Sequence, residues 1–266
     1  MKKILITVLF SFLFLDVSFA SVISGKINHD DINFKNKIID AQTQKPLTGA
    51  KITIPELNYS TFSDNQGCFK LKANVTNSTV MFVEKDGYKT FSLTVNDSVL
   101  NSPLKIGIEK SSPFDFQVTS GVVHLGDNMF STNSANSTDF RLGANGYYFS
   151  YVFNKPKFQS NQNVIVKIGT IIGIDTKKAK ELGQNKIAKV YSSPTEVIIN
   201  GHKIGTIELN GDNIEVQIPK ILLKEKNELI IKTGKNLFQF DYVDYDDIEL
   251  ANVRIEVKNN QYYAKN

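Results

Sequence analysis

The densest run of residues able to do chemistry lies near the C-terminus, in Asp241-Tyr242-Val243-Asp244-Tyr245-Asp246-Asp247. Hard carboxylate oxygens at this density suit Ca²⁺, which takes several oxygen ligands and tolerates irregular geometry. In an extended segment Asp244 and Asp246 project to one side, and Asp247 and Glu249 to the other. Asp244, Asp246 and Asp247 are therefore the candidate ligands of a structural calcium ion, completed by main-chain carbonyls and Asp127. The competing expectation is a solvated acidic loop that keeps a strand edge from pairing with other chains. A second set is aromatic. Sugar rings expose flat apolar C–H faces on which aromatic rings stack, while amides and imidazoles bond the hydroxyls. Tyr148, Tyr191 and Tyr242, with His202 as a polar partner, are the candidate carbohydrate-binding residues. Tyr147 and Tyr151 share a strand face with Phe149 and Phe153 and are expected in the core. The absence of Trp argues against a large stacking platform.

Catalytic patterns are scarce. The sequence has no Gly-x-Ser-x-Gly elbow and no phosphate-binding loop. Its one cysteine, Cys68, lies in Gly67-Cys68-Phe69-Lys70-Leu71 without a neighbouring His, so a structural cysteine in a strand is expected. The reading is a non-enzyme.

The chain starts Met1-Lys2-Lys3, continues through a largely apolar run from Ile4 to Leu15, and places Ser18-Phe19-Ala20 where a signal peptidase needs small residues. Residues 1–20 read as a secretory signal peptide. A spanning helix needs about 20 apolar residues, and Asp16 interrupts this run. The expectation is a secreted or periplasmic protein of bacterial type, with no transmembrane segment after cleavage. With a single cysteine it forms no internal disulfide, so its stability rests on core burial. The 266 residues carry 31 Lys and Arg against 27 Asp and Glu, and 41% are hydrophobic. That is ample for packed cores and rules out a disordered or collagen-like chain. Arg141 and Arg254 are the only arginines. The bidentate forks that read phosphates are thus nearly missing, and nucleic acid is not an expected partner.

Alternation with period two organises the rest. Residues 21–33 form a lead-in. Ala50, Ile52 and Ile54, then Phe69 and Leu71, then Phe91, Leu93 and Val95, then Leu104, Ile106 and Ile108 mark short strands. Val80-Met81-Phe82-Val83 is apolar on both sides, as a central strand would be. Some seven strands before Lys110 predict a small β-sandwich over residues 34–111. The polar Lys110-Ser111-Ser112-Pro113 marks a boundary. Beyond it, residues 114–258 read as a second, jelly-roll sandwich with longer strands and a hairpin turning at Asn200-Gly201. Asp175 to Leu182 is the single helix candidate, and residues 259–266 a tail. The fold class is all-β, two sandwiches expected to fold separately.

The segment from Ile38-Ile39-Asp40-Ala41 through Lys45-Pro46-Leu47-Thr48-Gly49-Ala50 resembles the opening of the carboxypeptidase regulatory-like domain. Ser63-Asp64-Asn65-Gln66-Gly67-Cys68-Phe69 matches that family's next turn, with Ser63 in place of Thr, and Gly87-Tyr88 fits near its sixth strand. The resemblance implies a seven-stranded, prealbumin-like sandwich that serves as a structural or interaction module. A zinc carboxypeptidase partner would need a His-x-x-Glu pair, and none of His29, His124 or His202 is followed by one. The second half resembles galactose-binding-like jelly rolls, the architecture of many carbohydrate-binding modules. It does so through His124-Leu125-Gly126-Asp127, Ile199-Asn200-Gly201-His202 and Asp246-Asp247-Ile248-Glu249-Leu250. This implies a glycan or cell-surface polysaccharide as ligand, with the first sandwich as spacer. The alternative from a different class is a structural or adhesive envelope protein that contacts other proteins.

Overall fold

The computed structural model describes residues 36–75, 78–131, 133–135, 140, 142–184 and 190–259. The expected signal peptide, lead-in and the tail beyond Asn259 lie outside the described residues. Seven strands build the first sandwich: β1 (Asn36–Asp40), β2 (Lys51–Ile54), β3 (Tyr59–Phe62), β4 (Cys68–Phe69), β5 (Thr79–Glu84), β6 (Phe91–Val95) and β7 (Lys105–Ile108). Sheet β4-β1-β7 faces sheet β3-β2-β5-β6. Ile38, Ile52, Ile54, Met81, Val83 and Ile108 fill the space between them. A short helix, α1 (Asp97–Leu100), follows β6; Asn96 caps it by accepting the Val99 N–H at 3.0 Å. It was not expected from the sequence, because one capped turn has no apolar period to detect.

The residues behind the family resemblance are architectural. Asp40 Oδ1 accepts the N–H groups of Gln42 and Thr43 at 2.9 and 2.7 Å, and its other oxygen accepts the Tyr88 hydroxyl at 2.9 Å. Ser63 bridges the strand ends, donating to the Leu47 carbonyl at 2.6 Å and accepting from Ala50 N–H at 2.9 Å. Gly67 has φ +74°, and any Cβ there would strike the Ile38 carbonyl oxygen.

The second sandwich has eight strands: β8 (Phe116–Leu125), β9 (Tyr148–Asn154), β10 (Gln162–Ile172), β11 (Thr195–Ile199), β12 (His202–Ile207), β13 (Gly211–Ile218), β14 (Lys226–Lys232) and β15 (Ile248–Asn259). They pair as β13-β10-β15-β8 and β12-β11-β14-β9, all antiparallel. Asn200 and Gly201 both take positive φ at the hairpin tip, as a two-residue turn between twisted strands requires. Helix α2 (Lys177–Glu181) is capped by the Thr176 hydroxyl. The core joins Val164, Val166, Ile168, Val253 and Ile255 of one sheet to Val197, Ile199, Leu229 and Ile231 of the other. Among the described residues no helix is long and apolar enough to cross a membrane.

Both sandwiches fall within one compact unit. Val80 and Phe82 point away from the first core and pack on Ile172 and Ala251 of the second sandwich. Around them runs a polar rim. Asp212 Oδ1 accepts both the N–H and the hydroxyl of Thr94 at 2.9 Å, and the Thr170 hydroxyl bridges Asp212 and Ser92. Asn252, held at φ +57° in a bulge of β15, donates to the Thr90 carbonyl at 2.8 Å and accepts from Arg254 at 2.7 Å. The doubly apolar run at Val80–Val83 therefore reflects two cores, one on each face of β5. Cutting the chain between the sandwiches would expose that second face. Phe82→Ala leaves a cavity at a site 3% exposed and should lower stability by about 3 kcal/mol, read as a fall in the urea midpoint; an unchanged midpoint would show that the joint contributes little.

Candidate functional site

The candidate residues gather, with one exception, at the end of the second sandwich where β8 stops and β15 begins. In the β8–β15 ladder Ile248 pairs with Leu125 and Glu249 with His124, so Asp247 sits just over the end of β8. Gly126, at φ +150°, lets it approach, since a Cβ there would overlap the Asp247 carboxylate. Asp247 Oδ1 accepts from His124 Nε2 at 2.8 Å and from Asn128 N–H at 3.0 Å. The other ring nitrogen of His124 meets the Leu142 carbonyl. Both nitrogens thus face acceptors, which favours the imidazolium. Burial works against that charge, but the Asp247 carboxylate and the Leu142 carbonyl outweigh it, and the His124 pKa is raised.

The neighbouring carboxylates turn elsewhere. Asp246 accepts the Ser192 hydroxyl at 2.7 Å and Asp175 N–H at 3.2 Å. Asp244 accepts Asn236 Nδ2 at 2.9 Å and Ala135 N–H at 3.1 Å. Asp127 accepts Tyr245 N–H at 2.7 Å and Met129 N–H at 3.1 Å. Each therefore ties the 241–247 segment to a different loop. Burial, first, and the charge of Asp175 push the Asp246 carboxyl well above its ordinary range; burial also raises Asp244 and Asp127. The three carboxylates expected as calcium ligands, Asp244, Asp246 and Asp247, thus each take hydrogen-bond donors of their own. Among the described residues no group of three or more His, Cys, Asp or Glu could hold a metal ion. Consecutive residues in an irregular loop do not keep the strand period expected of them.

Above this buried base lies an aromatic layer. Tyr147 stacks on Tyr245 with centroids 4.4 Å apart and planes 7° from parallel, and Tyr148 sets its edge against Tyr147 at 5.1 Å. Lys232 Nζ stands 5.8 Å from the Tyr147 ring. Tyr191 meets Phe238 edge-on at 4.9 Å, with Lys180 Nζ over its ring at 5.6 Å. Tyr148 and Tyr242 are about half exposed. Tyr147, expected in the core, is exposed because it precedes the first paired residue of β9, where the alternation no longer applies; Tyr151 does pack on the core. His202 stands apart. It opens β12 beside the Asn200-Gly201 turn, whereas Tyr148 pairs with Lys232 at the opposite end of the same sheet. Asn200 is committed to structure, donating to the Leu222 carbonyl and to Asn227.

Sequence reasoning passed over Leu237, Phe238, Phe240 and Val243, all exposed, Phe240 at 88%. The available signal was a run of large apolar residues without a strand period. Glu249, placed by the sequence beside Asp247 but given no role there, is only 6% exposed; its carboxyl is pushed up to about 7, chiefly by burial and further by Glu56, although His124 pulls it down.

Residues 35–114 match the family model described as CarboxypepD_reg-like domain, which covers the first sandwich and its exit segment. No curated protein matches the chain.

A carboxyl with a raised folded-state pKa binds its proton more tightly when folded. Its contribution is full below the unfolded pKa of 4.5 and is lost as pH rises through about 7. Glu249→Gln removes that penalty, so the variant should melt above the wild type near pH ~8 and level with it near pH ~4. Equal melting temperatures at both pH values would show that Glu249 carries no such penalty.

Proposed function

We propose that this is an exported, non-catalytic glycan-binding protein. Its second sandwich, a galactose-binding-like jelly roll, takes the ligand, and the CarboxypepD_reg-like sandwich serves as spacer or interaction module. The observation that carries the reading is the set of tyrosines near one loop end: Tyr148 and Tyr242 about half exposed, Tyr191 partly buried against Phe238, and Tyr148 set against the stacked Tyr147 and Tyr245. Rings held against one another lose little freedom when a sugar stacks on them. His202 lies too far along the sheet to share one ring with them, so it is left out of the site. The non-catalytic part rests on His124, which is fully buried with both nitrogens engaged and has none free to act as a base. Export rests on the signal-like residues 1–20, and no step runs through a metal.

A second reading has its own support. Leu237, Phe238, Phe240 and Val243 expose apolar surface that makes no use of hydroxyl chemistry and suits contact with another envelope protein.

A glycan array probed with residues 21–266 tests the choice. Tyr148→Ala and Tyr242→Ala should each weaken binding about tenfold (~1.4 kcal/mol) with melting unchanged. An array without any ligand, together with protein capture that Phe240→Asp abolishes, would replace the glycan reading by the adhesive one.

A further inference from the structure

The joint between the sandwiches leaves a groove on the outer face of β13, β10 and β15, far from the tyrosine cluster. Its residues alternate with the core. Val164 and Val166 face inward, while Asn163, Ile165 and Lys167 face out; Gln217 pairs opposite Ile165, and Lys258 opposite Asn163. Lys89 and Glu109 of the first sandwich supply the facing wall. The groove is shallow and open to solvent, spanning about 780 Å³. A narrower recess of about 170 Å³ continues past Thr90, Phe91 and Arg254.

Its charges are internally matched. Lys89 reaches Asp115 at 3.1 Å, Glu109 at 3.2 Å and Glu256 at 3.5 Å. Arg254 pairs with Glu256 at 2.8 Å, Lys167 with Glu215 at 3.4 Å, and Lys258 with both Glu215 and Glu256. Four cations thus meet four carboxylates. Burial alone would neutralise Lys89, yet the carboxylates around it hold it charged, and Glu256 is held ionised by Arg254 and Lys89 against its own burial. An ionic ligand competing for Lys89, Arg254 or Glu256 would have to break a largely buried pair and strand its partner, which costs more than a surface contact returns. Polar groups outside the pairs are amides: Asn163 and Gln217, joined by a long 3.3 Å hydrogen bond, and Asn259. An amide donates and accepts at once, as a sugar hydroxyl does. Ile165, only 6% exposed, closes the floor beneath the amides, and Phe91 lines the recess.

We propose that this groove is a second carbohydrate site, for an uncharged, unbranched oligosaccharide laid across the three strands, with the first sandwich as one of its walls. The inference rests on the glycan-binding reading and adds a site that the tyrosines do not serve. The walls are pre-set by the packing of Val80 and Phe82, so binding spends little on ordering.

The test titrates residues 21–266 calorimetrically with linear neutral oligomers of glucose, xylose and mannose, and with uronic acid oligomers as charged controls. The double variant Asn163→Ala/Gln217→Ala changes outward polar groups and should keep the melting temperature. We expect a neutral oligomer to bind, the double variant to lose about tenfold in affinity, and Tyr148→Ala to leave this binding unchanged. Full affinity in the double variant with loss in Tyr148→Ala overturns the groove and leaves the tyrosine site standing. Binding of the uronic acid oligomers alone overturns the neutral ligand class. No binding by any oligomer or on the array overturns both sites.

Discussion

The packing of β5's outer face against the second sandwich is the contact on which the rest of the molecule depends. A strand in a two-layer sandwich ordinarily shows one face to its core and one to water. Here Val80 and Phe82 are as buried as Met81 and Val83 on the other side. Burying two such side chains is favourable by a few kcal/mol each at about 25 cal/mol per Å², and the surrounding polar groups keep that gain by finding partners. Asn252 does most here. Its left-handed backbone turns its amide out of the β15 ladder, where it meets Thr90 of one sandwich and Arg254 of the other. Arg254 donates to the same Thr90 carbonyl and pairs with Glu256, so the three groups share one network across the joint.

The same joint fixes the electrostatics. Lys89 follows the β5–β6 turn of the first sandwich, yet its partners Asp115 and Glu256 belong to the connecting segment and to β15. Burial opposes the charge of Lys89 and of Glu256, and each is held ionised chiefly by charges around it, Glu256 beside Lys89 and Arg254 beside Glu256. The interface therefore aligns two apolar surfaces and also holds a closed set of charges, which leaves the adjacent groove rigid and electrically quiet.

How much of this was legible follows from the range of each interaction. Strand alternation and the Asn200-Gly201 turn are local and were read correctly. So was the role of Asp40, Ser63, Gly67 and Tyr88 as a motif, because those residues satisfy neighbours within one small sandwich. The apolar run at Val80–Val83 was seen, but a central strand explained it as well as a second core did, and only tertiary packing separates the two. Asp244, Asp246 and Asp247 are a different case. Their type and spacing are plain in the sequence, yet each carboxylate is directed by a residue remote in sequence: Ala135, Ser192 and His124 respectively. Composition can mark such a cluster but cannot aim it.

Buried carboxylates carry a cost, and their placement shows what offsets it. Asp246 and Asp247 anchor the closing strand by taking N–H and O–H donors from loops that have no strand partners of their own. A loop backbone can be satisfied by water or by a side chain, and here the carboxylates take those N–H groups. That rigid base allows Tyr147, Tyr148 and Tyr245 to stand as an ordered ring cluster in solvent, where unsupported loop aromatics would collapse onto the nearest apolar surface. The groove reaches rigidity by another route, through the packed joint and its matched charges. The two surfaces thus rest on separate constraints, loop carboxylates where β15 begins and paired charges toward its end, so a change at one need not disturb the other.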